Sequence, residues 1–139
     1  METESRKLIG EFDGAEVALH GAEVSASCNR VPTLDGHPEN VWADTRRDVT
    51  VEAAAEAMAS FPSADLPSSP DPLIEVFEDP ERPQPRLDRM RGDGMAVTAG
   101  GIQETGGGVQ FNCLAHNTLR GAAGASLLNG ELLVENGWV

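Results

Sequence analysis

Fifteen glycines and nine prolines punctuate only 139 residues, so the chain can fold only into short elements joined by frequent turns. That length is enough for one domain with its own core. A hydrophobic fraction of 40% with 24% charged residues supports a globular chain and excludes disorder, collagen and coiled coil. The apolar stretches are a few residues long, too short to span a bilayer. The acidic start Met1-Glu2-Thr3-Glu4 lacks the basic and apolar character of a secretion signal, so the expected location is the cytoplasm.

Between the turns, periodicity assigns the elements. Leu8, Ile9 and Phe12 fall at helical spacing within residues 2–12, which read as the last turns of a helix whose beginning is missing. Val17, Leu19, Val24 and Val31 suggest strand structure over 15–32, broken near Gly21, with a turn at Asp35-Gly36. Residues 39–49 alternate Val41, Ala43 and Thr45 against Asn40, Trp42, Asp44 and Arg46, a strand with two unlike faces, expected to pair with the preceding strand. Thr50 caps a predicted alanine-rich helix from Val51 to about Ser60. Loops follow at 62–72 and 79–93, on either side of a short strand from Leu73 to Phe77. Met95 to Thr105 and Val109 to His116 read as strands joined across Gly106-Gly107-Gly108, and the longest helix runs from near Asn117 to Glu135, closing at Gly137. This order predicts an α+β domain, with a mainly antiparallel mixed sheet and helices on one face.

Charge narrows the partners. A net charge of −13 repels nucleic acid and anionic membrane surfaces. Nine of the ten basic residues are Arg, and with the acidic excess this suggests a halophilic protein kept soluble in concentrated salt, where self-repulsion is screened. Cys28 and Cys113 lie far apart with no metal-ligand spacing, so reduced thiols and no metal site are expected. Both sit within predicted strands, which marks them as structural rather than nucleophilic.

Arg30 and His37 lie seven residues apart across the Asp35-Gly36 turn. A guanidinium fork can hold a carboxylate, and an imidazole can exchange a proton near neutral pH, so the pair suits acid/base work on a small acidic substrate. On spacing alone, the commoner case is a turn histidine and a surface arginine. Asn117 opens the last helix, before the small run Gly121-Ala122-Ala123-Gly124. It suits either a polar ligand at the helix start or plain capping of a tightly packed helix, the commoner case. Arg82, Arg86, Arg89 and Arg91 alternate with acids and read as a solvated or subunit-facing ion network. No glycine-rich strand-to-helix turn of the dinucleotide-binding type is present.

Four motifs in order carry a resemblance. Ser27-Cys28-Asn29-Arg30-Val31-Pro32 with Gly36-His37-Pro38-Glu39, the run Arg82 to Arg89, Gly94-Met95-Ala96-Val97, and His116 to Gly124 with Leu128-Asn129 and Glu131-Leu132 resemble the aspartate-semialdehyde dehydrogenases of archaeal and fungal type. The opening residues Met1 to Lys7 resemble that family's helix following its substrate-binding Glu and Lys. The resemblance implies that residues 1–139 form one substrate-binding and dimerisation domain like the carboxy-terminal domain of glyceraldehyde-3-phosphate dehydrogenase, a fragment whose amino-terminal NADP-binding domain, with the nucleophilic Cys, is absent. It further implies Arg30 on the substrate carboxylate, His37 as general acid/base, Asn117 facing the nicotinamide of NADP, a homodimer or higher oligomer, and a last helix packed against the nucleotide domain. The family reaction is reductive dephosphorylation of aspartyl phosphate to aspartate semialdehyde, on the way to lysine, threonine and methionine.

Two departures stand out. Ala99-Gly100-Gly101-Ile102-Gln103 replaces the family's usual Val-Gly-Arg-Ile-Arg, and Pro38 replaces a small polar residue after His37, holding His37 to extended backbone. The related malonyl-CoA reductases resemble the same stretch. A chain without the thiol and the nucleotide domain is expected to be inactive alone, either pairing with a separately encoded amino-terminal half or serving as a non-catalytic dimerisation module.

Overall fold

The computed structural model describes residues 2–139 and divides them into two compact units, residues up to Pro32 and Thr33–Val139; Met1 lies outside the described residues. In the first unit, helix α1 (Glu2–Leu8) places Glu2 and Glu4 in its first turn and Arg6 and Lys7 in its last, which suits the helix dipole. A two-residue ladder follows, β1 (Glu11–Phe12) against β2 (Val17–Ala18). Asp13 Oδ1 closes their turn by accepting from the N–H groups of Ala15 and Glu16, both at 2.8 Å. The strand expected across residues 15–32 shrinks to Val17–Ala18. β-Branched composition alone does not make a strand, and residues 19–32 have no ladder partner among the described residues.

The second unit is built on a four-stranded sheet in the order β3 (His37–Asp44), β6 (Gly108–Ala115), β5 (Val97–Glu104), β4 (Ile74–Phe77). β4 and β5 run parallel and the other pairs antiparallel, so the mixed α+β architecture read from the sequence holds. One pairing differs: β3 lies against β6, with His37 opposite Ala115 and Asp44 opposite Gly108, and not against the segment before it. The apolar members of β3 find a matching face there, Val41 opposite Phe111 and Ala43 opposite Val109. Helix α2 (Val51–Ala59) starts where expected, with Thr50 Oγ1 accepting from Ala53 N–H at 3.2 Å, and packs on β4 and β5. Thr98 and Leu114, opposite each other on β5 and β6, anchor the core, Leu114 being 2% exposed.

The segment between β4 and β5 covers the Thr98/Leu114 face. It contains the short helix α3 (Pro85–Asp88) and runs so close to the sheet that a Cβ on Gly100 would stand 2.5 Å from Arg82 O. Here the arginines expected in a solvated or subunit-facing network prove to be partly internal. Asp88 is buried, takes the Arg82 guanidinium on both oxygens, and accepts from Gln84 N–H at 2.7 Å. Arg91 bridges to Asp88 at 3.7 Å and to Glu75 at 3.2 Å, and both guanidinium groups stand over the Phe77 ring, at 4.6 and 5.4 Å. A charge sealed from water demands such partners, and alternating signs in the sequence do not reveal which carboxylate is sealed. Arg89 instead donates to the carbonyls of Pro85 and Arg86.

After β6 the chain makes one wide turn, Leu119–Ala123, and continues as α4 (Gly124–Glu135), the longest helix. Glu131 ties α4 to the loop between α2 and β4 by accepting from Ser68 N–H at 3.0 Å and Ser68 O–H at 2.7 Å. Beside this tie, Leu66, Pro67, Leu127 and Val134 line an open, largely apolar groove of about 540 Å3. No helix of the described residues is long and apolar enough to cross a membrane.

The Arg82 guanidinium, then the Gln84 N–H and Arg91, hold the Asp88 carboxyl below its usual value of 3.8. A folded-state value below the unfolded one contributes stability that is complete above about pH 4 and lost as pH falls through the folded value. Asp88→Asn is expected to lower the melting temperature at pH 6 and to flatten its dependence on pH below 4, as followed by circular dichroism melts across that range.

Candidate active site

Antiparallel pairing of β3 with β6 decides where the site residues fall. Because His37 lies opposite Ala115, the residues just before β3 meet those just after β6. Asn117 Oδ1 accepts the Gly36 N–H at 2.6 Å, across 81 residues of sequence. Gly36 has φ +112°, a conformation only glycine adopts readily, and a Cβ there would stand 2.9 Å from Pro85 Cβ and 3.1 Å from Leu114 Cδ1. His37 follows as the first residue of the edge strand and is exposed. Pro38 accords with its extended backbone. Among the described residues the His37 ring makes no hydrogen bond, so its aim is set by the backbone beneath it.

The imidazole that caps the last helix is not one the sequence singled out. His116 is only 6% exposed, and its Nδ1 accepts from the N–H groups of Thr118 at 3.2 Å and Leu119 at 3.3 Å. Accepting at Nδ1 leaves the proton of the neutral ring on Nε2. His116 therefore does the capping that the sequence allowed to Asn117, whose carboxamide reaches back to Gly36 instead. The only signal was the pair His116-Asn117 ahead of a helical run, since cap geometry cannot be read from residue type. The wide turn carries i to i+5 bonds, from Gly121 N–H to His116 O and from Ala123 N–H to Thr118 O, each 2.8 Å. The small run that follows is used internally, because any Cβ on Gly124 would overlap Met95 Sδ.

Arg30 belongs to the first unit, exposed on irregular backbone, with no ion pair among the described residues. Cys113 is half-buried on β6, and burial together with the Glu39 carboxylate opposite pushes its thiol up to about 11, which suits the structural role read for it. Cys28, expected within a strand, is exposed on irregular backbone because no neighbouring ladder covers it. The described residues contain no cluster of His, Cys, Asp or Glu able to hold a metal ion.

The sequence departure at Gly101 and Gln103 falls on an irregular stretch of β5. β5 breaks register between Gly100 and Gln103, and Gly101 takes φ +60°, which an arginine would adopt only under strain. Gln103 Oε1 accepts from Gln110 Nε2 on β6 at 3.0 Å. With Asn40, Trp42 and Asn112 these residues line a polar hollow of about 120 Å3 on the Thr98/Leu114 face, beyond the part that the β4–β5 segment covers, and Trp42 there is 68% exposed.

The mixed sheet, the glycine turn before His37 and the carboxamide that returns to it from beyond β6 define an α+β domain with a polar site at the end of its edge strand. The model of the semialdehyde dehydrogenase dimerisation domain matches residues 1–120, and the chain belongs to that family. It is 50% identical over 136 residues to the aspartate-semialdehyde dehydrogenase of Archaeoglobus fulgidus, covering 97% of this chain and 40% of the relative. It is 34% identical over 131 residues to the NADP malonyl-CoA reductase of Metallosphaera sedula, covering 89% of this chain and 37% of that one. The crystal structure of the Candida albicans aspartate-semialdehyde dehydrogenase with NADP superposes with a TM-score of 0.87 at 35% identity, over 99% of this chain and 42% of the other. The chain thus spans about two fifths of the length of the relatives it matches.

Gly36→Ala is expected to cost about 1–3 kcal/mol through the strained φ and the contact with Pro85. Denaturant unfolding checks this, with Gly106→Ala as the control, since nothing lies within 4 Å of a Cβ there and its φ is ordinary.

Proposed function

We propose that this chain is the substrate-binding and dimerisation part of an NADP-dependent aspartate-semialdehyde dehydrogenase, working as a homodimer in the cytoplasm. The observation that carries the reading is the meeting of Asn117 with the turn that presents His37, which joins two of the matched motifs at one place. In this reading Arg30 holds the carboxylate of a small acidic substrate by a bidentate grip. His37, exposed at the strand end, exchanges the proton at the reacting oxygen as the nucleophilic thiol adds and leaves. In this reading that thiol and the dinucleotide fold are supplied by a nucleotide-binding part that meets the site.

The residues present fit one portion of the cofactor. Asn117 Oδ1 is engaged by Gly36, while its Nδ2 makes no hydrogen bond among the described residues and can donate to a carbonyl such as the nicotinamide carboxamide. When bound, NADPH supplies the hydride that reduces the acyl group. The apolar groove along α4 supports docking of the nucleotide-binding part, and the open face around Trp42 supports contact with a second copy. The charge of −13 supports a working environment of high ionic strength. Similarity to the Metallosphaera reductase supports malonyl-CoA as the second substrate to try.

A chimera settles the reading: this chain in place of the matching portion of the Archaeoglobus relative, assayed for NADP reduction with aspartate semialdehyde and phosphate. Activity that His37→Ala lowers by about a hundredfold or more, and that Arg30→Ala lowers mainly through KM, is the expected result. A folded, dimeric chimera that turns over malonyl-CoA alone supports the second substrate, and one without any activity supports a non-catalytic dimerisation module.

A further inference from the structure

We propose that Asn117 is a positioning residue for His37, acting through the Gly36 turn, and that His116 holds Asn117 in place. The inference rests on the reading of His37 as the acid/base. The His37 ring has no hydrogen-bond partner of its own among the described residues, so no hydrogen bond aims it and its placement begins with its backbone. Three restraints act on that backbone. The ladder holds His37 opposite Ala115, Pro38 follows it, and the Gly36 N–H is tied to Asn117 Oδ1 at 2.6 Å. The last of these is the hydrogen bond on the turn itself, which Pro85 also backs by packing and where φ +112° at Gly36 sets the direction in which the chain enters the strand.

Asn117 can serve as a fixed post because the residue before it is fixed. The buried His116 ring accepts the N–H groups of both Thr118 and Leu119, and its own carbonyl takes the N–H of Gly121. Asn117 is therefore gripped on both sides by a single histidine. Its carboxamide has two ends with two tasks, the oxygen holding the turn and the Nδ2 left for an external acceptor. A ligand on Nδ2 would further restrain the carboxamide, and with it the turn that carries His37. Occupancy at the one end thus tightens the aim of the acid/base at the other.

The two ends separate by substitution. Asn117→Asp keeps an oxygen for Gly36 and loses the Nδ2 donor; Asn117→Ala loses both. In the 15N-labelled chain, amide exchange at Gly36 is expected to be protected in wild type and in Asn117→Asp and at least tenfold faster in Asn117→Ala. The Hα–Hβ couplings of His37 should collapse to rotamer-averaged values in Asn117→Ala alone. A Gly36 amide unprotected in wild type, or His37 couplings unchanged in Asn117→Ala, overturns the proposal. Should Asn117→Ala fail to fold, the wild-type Gly36 amide and the Asn117→Asp rescue decide it. In the chimera, Asn117→Ala should lower kcat about tenfold to a hundredfold with little change in substrate KM, and Asn117→Asp should recover kcat while raising KM for NADP. Equal kcat loss in both variants overturns the positioning role, whereas activity indifferent to His37→Ala overturns the acid/base reading and leaves the Gly36 measurements standing.

Discussion

The hydrogen-bonded ladder between β3 and β6 is the constraint on which the rest of the second unit depends. It joins residues 37–44 to residues 108–115, and a slip of one residue would turn every side chain of β3 to the opposite face. In the observed register, Val41 and Ala43 meet Phe111 and Val109, while Asn40 and Trp42 look onto the polar hollow with Asn112 and Gln110. The same register brings the glycine turn to the foot of the last helix. Function and packing thus share one alignment.

The second support is electrostatic. Asp88 lies sealed beneath the segment that crosses the sheet, and its two arginines neutralise it while stacking on Phe77. That segment supplies Pro85, which closes over Gly36. The ion cluster and the candidate site are therefore neighbours through a single proline, and the floor of the turn is only as firm as the loop that carries it.

Much of this was legible in the residues. Alternation along β3, the alanine run with Thr50 ahead of it, and the glycines before Gly108 announced their elements, because each is a local pattern with a local cause. The pairing of β3 was not legible, since the neighbour in sequence and the neighbour in space carry similar apolar residues. Residues 19–32 misled for the related reason that Val24 and Val31 favour a strand only where a partner ladder exists. At the site, Gly36 and Asn117 were visible as a turn and a helix start, and the family resemblance implied a nicotinamide-facing role for Asn117 alone. Their contact spans the chain and leaves no trace in either segment. The buried cap of His116 was hidden for another reason: a histidine beside an asparagine offers two candidate caps, and only burial decides between them.

The bond from Asn117 to Gly36 closes a loop of 81 residues, and this orders events in time as well as in space. Contacts so distant along the chain form only after the intervening strands have found one another, because the entropy of the loop must first be offset by the ladders within it. The turn before His37 consequently cannot be tied down before β3 has met β6. On a ribosome, the segment through β3 emerges long before the residue that will hold it. A nascent chain that stops short of residue 117 can possess most of the sheet and still lack the bond that holds the turn. The order of emergence along the chain therefore leaves the turn before His37 without its Asn117 partner until that residue has been made.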